Sequence, residues 1–303
     1  MKTKDRDINS FIVIIDSFID LANLNIQEKE IIKKELRTYI TVRFNKNKWV
    51  HPEITKFCTD WYREFYRLVE GIDPYKDLKE KSNDKAKEIV GLLKLKNFKT
   101  CLAAGILGNQ IDYGACLIGN YDLEKMEKDF ENIENCQIHI DDTSILQEKI
   151  SKAKKVLFLA DNNGEIIFDR LLLKKIGNIV CKENIYIFGK ETPMLNDVTV
   201  ADLKELGFDK YGHIVSTGSN CLGLHYEDVS DECKKHLKEA DLIIAKGQAY
   251  LEFFTEYNFS NVINILMVKY PIINPAFGIL PSGYNVIMSS ERYAQFGKNY
   301  FDS

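Results

Sequence analysis

Side chains suited to holding a divalent metal ion occur at two places in the second half of the sequence. Asp161 and Asn162 open the segment Asp161-Asn-Asn-Gly-Glu165, and Asp197 lies further along the chain. Carboxylate and amide oxygens are hard ligands, which Mg²⁺ and Mn²⁺ prefer. A metal held by Asp161, Asn162 and Asp197 would polarise a phosphoryl oxygen and lower the pKa of a bound water. This donor set points to phosphoryl chemistry.

Groups suited to binding a phosphate occur in the same half. Thr217, Gly218 and Ser219 offer backbone N–H groups and hydroxyls at an expected helix start, where anions bind favourably. Lys246 and Lys269 carry ammonium groups that would neutralise charge developing on a transferred phosphoryl group. Together with the metal donors, these residues predict a site for a phosphorylated ligand.

Short β-rich runs precede these polar clusters and must position them. The runs alternate with stretches long enough for crossover helices, which predicts a doubly wound, mostly parallel sheet. Because parallel strands end along one edge, the clusters are expected to converge there, although each one alone is explained as well by helix capping and turns. The predicted strands are 156–160, 185–189, 213–216, 242–245 and 262–268.

The first hundred residues have a helical period instead. Apolar residues recur at helical spacing, and the expected helices are 8–22, 27–43, 52–71 and 82–95, the last one capped by Ser82 or Asn83. The sequence therefore predicts an α/β protein with an N-terminal all-helical domain, residues 1–98, and a three-layer α/β/α domain, residues 99–303.

Composition excludes several other classes of protein. The net charge of −4 leaves no basic surplus for a nucleic-acid backbone, and no apolar run approaches the about 18 residues of a membrane span. The charged start does not resemble a secretory signal, and the seven scattered cysteines contain no C-x-x-C, which favours a reducing cytoplasm. Gly218 to Gly223 has the glycine spacing of a Walker A loop, but Leu224-His225 stands where Lys-Ser/Thr is required.

These clusters, taken in order, resemble the motifs of the damage-control phosphatase family, formerly known as domain of unknown function 89. The similarity is greatest to its stand-alone microbial branch and covers the chain from about residue 50 to residue 288. The matching segments are 161–169, 195–199, 215–219 and 240–248, with 73–76, 81–83 and 108–112 in the helical half.

The resemblance implies metal-dependent hydrolysis of damaged or surplus phosphorylated metabolites, sugar phosphates among them. It places the family's metal ligands on Asp161, Asn162 and Asp197 and its phosphate-side lysine on Lys246. Two further matches, Asn109 and Asp112, lie in a family motif near the site, as supporting or substrate-binding groups.

Three departures from the family pattern bear on the substrate. The first fifty residues contain no cysteine, whereas the microbial branch usually has a C-x-x-C there. Ala249-Tyr250 stands where the family commonly has Gly-Asn, and Val268-Lys-Tyr-Pro271 is a looser match to the family's last lysine segment. Substrate preference is therefore expected to differ from that of better-known relatives.

The predicted function is that of a metal-dependent phosphomonoesterase, using Mn²⁺, Mg²⁺, Co²⁺ or Ni²⁺, with no nucleic-acid or membrane partner. The nucleophile is either a metal-bound water or one of the two aspartates. Glu165 is a general base, an orienting residue, or only a helix-dipole partner. The alternatives are an S-adenosylmethionine-dependent carboxyl methyltransferase, which the absence of a glycine-rich loop after the first strand disfavours, and a non-catalytic phosphometabolite-binding protein.

Overall fold

The computed structural model describes residues 8–44, 53–93, 97–111, 128–274 and 276–294. The chain begins with helices, and their aromatic residues make a core of their own. Phe18 packs edge-to-face against Phe65 at 4.7 Å between ring centroids and stacks on Tyr75 at 5.0 Å. The helices are α1 (Ile8–Leu21), α2 (Ile26–Phe44), α3 (Glu53–Leu68), α4 (Lys76–Leu92) and α5 (Phe98–Gly108).

The second half of the chain contains a seven-stranded sheet. A separate two-stranded hairpin occurs between the last two strands of that sheet in sequence. The sheet strands are β1 (Ile140–Asp141), β2 (Val156–Leu159), β3 (Ile185–Gly189), β4 (His213–Ser216), β5 (Leu242–Lys246), β6 (Val262–Met267) and β9 (Asn285–Ser289), and the hairpin is β7 (Ile272–Asn274) with β8 (Gly278–Leu280). The sheet order is β1-β9-β6-β5-β2-β3-β4. Strands β2 to β6 run parallel to one another, while β9 is antiparallel to β6.

Helices cover both faces of this sheet. Along β2, Val156 and Phe158 belong to one buried apolar cluster, and Leu157 and Leu159 belong to another. Alternate residues of a strand point to opposite faces, so a core on each side makes three layers. The predicted α/β/α fold with a mostly parallel sheet is confirmed. The helices of this half are α6 (Thr143–Lys152), α7 (Glu165–Gly177), α8 (Val200–Glu205), α9 (Asp231–Glu239) and α10 (Gln248–Phe254).

The helical half does not pack as one unit. Helices α1 to α3 form their own cluster, whereas Ala86 and Ile89 of α4 and Leu102 of α5 join the cluster that contains Phe158 of the sheet. Helices α4 and α5 therefore contribute to the core of the α/β layers. A domain boundary at residue 98 stays a prediction.

The expected start of the fourth helix at residue 82 is wrong, because α4 begins at Lys76. The Ser82 hydroxyl donates to the carbonyl of Leu78, four residues earlier, so Ser82 lies inside the helix. Asn83 does not act as a cap either and reaches across to the segment before α7. In the described ranges, no helix combines the length and apolarity needed to cross a bilayer.

Candidate active site

The strand register brings three parts of the predicted site to one edge of the sheet. Leu159 of β2 pairs with Phe188 of β3 on one side and with Ala245 of β5 on the other. The residues that follow these three positions therefore emerge side by side, at the carboxyl ends of central strands. They include Asp161 and Lys246.

The loops after β2 and β3 are joined by backbone hydrogen bonds. Val198 N donates to Asp161 O at 2.8 Å, and Asn163 N donates to Asn196 O at 2.8 Å. Asn162 and Asp197 form an isolated antiparallel β-bridge. The structure thus brings together Asp161, Asn162 and Asp197, the three residues predicted as metal ligands.

The carboxylate of Asp161 is surrounded by donors. Asn162 Nδ2 donates to Asp161 Oδ2 at 2.7 Å, and Asn109 Nδ2 donates to the same oxygen at 3.0 Å. Lys269 Nζ lies 3.9 Å from that oxygen, as predicted for a cation beside the site. The carboxylate also rests against the backbone of Gly247, where a Cβ would lie 1.9 Å from Oδ2. Asp161 is therefore held from several sides.

Lys246 lies behind the site rather than facing it. Its Nζ is 2.9 Å from Glu165 Oε1, 2.9 Å from Asp169 Oδ1 and 3.1 Å from the carbonyl of Gly105, and the side chain is fully buried. An ammonium group has three N–H donors, so these contacts use all of them. The expected direct contact of Lys246 with a phosphate is not available in this arrangement. The structure instead places Lys246 as the partner of two buried carboxylates.

The protonation of this buried trio follows from burial and mutual attraction. Burial raises the pKa of Asp169 to about 7, with the ammonium of Lys246 opposing the change. Burial alone would lower the pKa of Lys246, but Asp169 and Glu165 outweigh it and the net shift is upward. Lys246 therefore stays charged and anchors Glu165.

Glu165 links this trio to Asp161. It is the first residue of α7 and is fully buried. Its Oε2 accepts from Asn109 Nδ2 at 2.7 Å and from Asn162 Nδ2 at 2.9 Å. Because these two amides also bond to Asp161, Glu165 orients both of them toward the candidate metal site. The structure favours the orienting role among the three considered for this residue.

A second buried lysine, Lys190, was missed by the sequence reasoning. It directly follows β3, and its Nζ donates to the carbonyls of Cys221 and, at 3.1 Å, Gly223. The same Nζ lies 3.9 Å from Asp197 Oδ2. Burial alone would lower the pKa of Lys190, but the nearby acidic groups Tyr250, Cys221 and Asp197 outweigh it and the net shift is upward. Its place immediately after a predicted strand was the signal that could have identified it.

The segment Thr217 to Ser219 does not form the predicted phosphate cradle. No helix begins in residues 217–230, and α9 starts only at Asp231, so the expected helix start is wrong. Gly218 N donates to Ser216 Oγ at 2.8 Å, and Ser219 N donates to Thr217 Oγ1 at 3.4 Å. These side chains satisfy the backbone donors that a phosphate would have needed.

One face of α3 holds the loops that follow β3 and β4, a role the sequence did not indicate. Thr59, Arg63 and Tyr66 are spaced by four and three residues, which places them on the same side of the helix. Leu195 N donates to the Tyr66 hydroxyl at 3.0 Å and Leu222 N to Thr59 Oγ1 at 3.0 Å. Arg63 donates to Ser219, Asn220 and Asp228.

The remaining predicted residues are placed as follows. Asn109 ends α5, is fully buried, and its Oδ1 accepts from Met267 N at 3.1 Å, so the structure ties it to Asp161 and to the end of β6. Lys269 N donates to Gln248 Oε1 at 3.0 Å, which links the segments after β5 and β6. Asp112 lies outside the described residues.

The donor set suits the predicted metal ion. Both Nδ2 hydrogens of Asn162 are engaged, and no donor among the described residues is bonded to its Oδ1, which leaves that oxygen for a ligand role. Asp161 and Asp197 add two carboxylates on adjoining loops, a hard-oxygen set of the kind that Mg²⁺ and Mn²⁺ accept. Within the described ranges, no three His, Cys, Asp or Glu side chains form a metal cluster by themselves. A metal site at this position would need the amide oxygen of Asn162 beside the two carboxylates.

Comparison with known proteins agrees with the resemblance found in the sequence. The family model of the damage-control phosphatase ARMT1-like domain matches residues 8–278. A damage-control phosphatase of Pyrococcus horikoshii is 34% identical over 233 residues, which are 76% of this chain and 79% of that protein. A damage-control phosphatase of Archaeoglobus fulgidus is 32% identical over 226 residues, 72% of this chain and 76% of the relative.

A solved structure shows the same fold. The crystal structure of a DUF89 family protein from Pyrococcus horikoshii superposes with a TM-score of 0.81 at 29% identity, covering 95% of this chain and 99% of the other. The fold, the order of the motifs and the sequence identity agree. This chain belongs to the damage-control phosphatase ARMT1-like domain family.

Proposed function

We propose that this chain is a divalent-metal-dependent phosphatase that hydrolyses small phosphorylated metabolites, with sugar phosphates as the principal class. Membership of a family named for phosphatases supports phosphoester hydrolysis. The observation that carries the proposal is the arrangement of Asp161, Asn162 and Asp197 on bridged loops, with one buried lysine near each aspartate. Oxygen ligands beside fixed cations suit a phosphoryl group.

Asp161, Asn162 and Asp197 would hold the metal ion, which supplies Lewis-acid polarisation of the phosphoryl group when bound. Lys269 brings positive charge to the Asp161 side, since its Nζ lies 3.9 Å from Asp161 Oδ2. Lys190 does the same at Asp197 Oδ2, also at 3.9 Å. These ammonium groups are already desolvated and fixed, so they stabilise developing negative charge without reorganising.

The residues behind the site keep this arrangement rigid. Glu165, held by Lys246, accepts hydrogen bonds from Asn109 and Asn162 and so fixes both amides. With these contacts in place, Glu165 is a positioning residue in the proposed mechanism. The two aspartates, Asp161 and Asp197, remain with water as candidate nucleophiles.

Phosphate release from a panel of sugar phosphates and other phosphomonoesters tests the proposal. The purified chain is assayed with Mn²⁺, Mg²⁺, Co²⁺ or Ni²⁺ and with a chelator, and Asp161→Asn is compared with Asp231→Asn, a change of the same kind at a fully exposed side chain. We expect activity to require the metal, and Asp161→Asn to lower kcat/KM by more than about 100-fold while the control retains it.

Two results would contradict the proposal. One is phosphate release that the chelator leaves unchanged, because the metal would then have no part in the reaction. The other is a folded, metal-loaded protein that releases no phosphate from any ester. Methyl transfer from S-adenosylmethionine to a carboxylate, or ligand binding without turnover, would in that case identify the alternative function.

A further inference from the structure

Tyr250 is a buried residue beside the candidate metal site. Tyr250 is 2% exposed and stands in α10, three residues after Gly247. The backbone of Gly247 touches the Asp161 carboxylate, since a Cβ there would lie 1.9 Å from Oδ2. Gly247 directly precedes α10, and Leu251 N donates to its carbonyl at 3.5 Å, so the helix starts at this contact. Tyr250 is thus carried by the helix whose first turn abuts Asp161.

The ring of Tyr250 also faces the other half of the site. Lys190 Nζ lies 5.2 Å from the ring centroid, and the same ammonium is 3.9 Å from Asp197 Oδ2. Burial raises the pKa of the phenol; Lys190 opposes this shift, and the charges of Asp197 and Asp161 add to it. Tyr250 is therefore a neutral O–H donor that interacts electrostatically with both Asp161 and Asp197.

The hydroxyl of Tyr250 has no hydrogen-bond partner among the described residues, although it is buried. Other buried tyrosines of the chain are satisfied: the Tyr75 hydroxyl donates to Phe18 O at 2.9 Å, and the Tyr293 hydroxyl accepts from Asn264 Nδ2 at 2.6 Å. Buried polar groups in native proteins nearly always have a partner. An orphaned donor beside a metal site indicates a ligand that supplies the missing acceptor.

We propose that the Tyr250 hydroxyl donates a hydrogen bond to the phosphoryl group of the bound substrate and helps to set substrate specificity. The inference rests on the proposed phosphatase function for the identity of the ligand. Phosphoryl oxygens are charged acceptors, the strongest partners available to a phenol. A phenol is longer and wider than a small polar side chain such as asparagine, so it delivers its donor further from α10 and leaves less room for the substrate. Compact phosphomonoesters are therefore the favoured class.

Three variants of the full-length chain test the proposal. Tyr250→Phe removes only the hydroxyl, Tyr250→Asn replaces the ring by a shorter polar side chain, and Tyr293→Phe removes a buried hydroxyl that has a protein partner. Each is measured with and without Mn²⁺ for orthophosphate binding by calorimetry, for the thermal midpoint of unfolding, and for kcat/KM on compact and bulky phosphomonoesters.

The expected pattern separates a ligand contact from a structural one. Tyr250→Phe should weaken orthophosphate binding to the metal-loaded chain by about 10-fold or more, as for the loss of a hydrogen bond to a charged group, without lowering the thermal midpoint. Tyr293→Phe should lower the midpoint and leave orthophosphate binding unchanged. Tyr250→Asn should shift the ratio of kcat/KM values toward bulkier substrates.

The failures of this inference and of the proposed function are distinguishable. Unchanged orthophosphate affinity in Tyr250→Phe, or a midpoint lowered as much as in Tyr293→Phe, overturns the role of Tyr250 while phosphatase activity stands. If the wild-type chain hydrolyses no ester, but Tyr250→Phe weakens orthophosphate binding, the hydrogen bond from Tyr250 is supported and the proposed phosphatase function is overturned. A wild-type chain that binds no orthophosphate overturns the inference.

Discussion

The contact between Gly247 and the Asp161 carboxylate is too close to accommodate a side chain at position 247. Gly247 has φ +84°, a backbone conformation that favours glycine, and it is in contact with the Asp161 carboxylate. The absence of a side chain there lets the start of α10 approach Asp161 directly. The position of the carboxylate therefore depends on a residue that carries no chemistry of its own.

Replacing Gly247 by alanine should displace Asp161. The new Cβ would lie 1.9 Å from Asp161 Oδ2, so the carboxylate has to move, and a shift of about 1 Å in a reacting group costs about 100-fold in rate. Gly283→Ala is the matched control, because Gly283 has φ +85° with no atom within 4 Å of the built Cβ. It should lose about 1 kcal/mol of stability and keep its activity. Phosphate release and denaturant unfolding of both variants measure the difference, and equal activities would contradict the close contact.

Lys246 and Lys190 both lie at the carboxyl ends of strands of the sheet, but their side chains meet different partners. Lys246 is predicted as a phosphate contact because it follows a predicted strand and matches the family's phosphate-side lysine, but its three donors are taken by Glu165, Asp169 and Gly105. Lys190 also follows a strand and was passed over, yet it lies 3.9 Å from Asp197 Oδ2. The sequence indicates which residues are near the edge of the sheet. It does not indicate which direction a side chain takes from the end of its strand.

At the scale of elements, the packing of α5 against α7 supports the site from behind. Gly105 of α5 faces α7, and a Cβ built on it would lie 2.6 Å from Asp169 Oδ1 and 3.2 Å from Lys246 Nζ. Asn109, which bonds to Asp161, is carried at the end of the same helix. The helix-to-helix distance therefore sets both the buried ion pairs and the amide at the site.

We expect Gly105→Ala to reduce the free energy of unfolding by about 1–3 kcal/mol, because the added methyl group forces apart a packed and charged interface. Gly91→Ala in α4 serves as the comparison, since no atom lies within 4 Å of its built Cβ. That change should raise stability by up to about 1 kcal/mol through the helix preference for alanine. Urea titration of both variants measures whether the free energy of unfolding falls in Gly105→Ala and rises in Gly91→Ala. A Gly105→Ala protein as stable as the wild-type chain would show that α5 and α7 are not in close contact.

At the scale of the whole molecule, the N-terminal helices hold the loops of the α/β layers. Arg63 of α3 donates to Ser219, Asn220 and Asp228, all on the loop that follows β4. That loop in turn supplies the carbonyls of Cys221 and Gly223 to Lys190. A continuous set of contacts thus runs from the helical half to the lysine beside Asp197.

Arg63→Met should therefore affect activity as well as stability. Methionine keeps the apolar stem but removes the donors, and since the Arg63 side chain is 35% exposed we expect a loss of about 1 kcal/mol. Release of the loop should lower kcat/KM by roughly 5- to 10-fold. Arg67→Met, four residues further along α3 and 65% exposed, is the control and should change neither quantity measurably. Steady-state kinetics and unfolding of both variants test this, and identical behaviour would mean that α3 does not influence the site.

Much of the fold follows from local sequence pattern. Residues 156–159 of β2 and 242–245 of β5 are unbroken apolar runs, because helices cover both faces of the parallel sheet there. The predicted fold class and family are both confirmed. The start of α4 was misplaced because Ser82 has the composition of a cap, while its hydroxyl bonds within the helix.

The sequence by itself determined the layered fold, the family and the placing of Asp161, Asn162 and Asp197 after neighbouring strands, because period and strand-end chemistry are local properties. Only the tertiary structure decided which partners the charged groups meet. Lys246 turns to Glu165 and Asp169 because strand order and the packing of α5 on α7 bring together segments that are distant in sequence. Lys190 approaches Asp197 because the loop after β3 folds back, with Lys190 N donating to Val198 O at 2.8 Å. Contacts of that kind depend on the closed three-dimensional arrangement of the chain, and no spacing along the sequence specifies them.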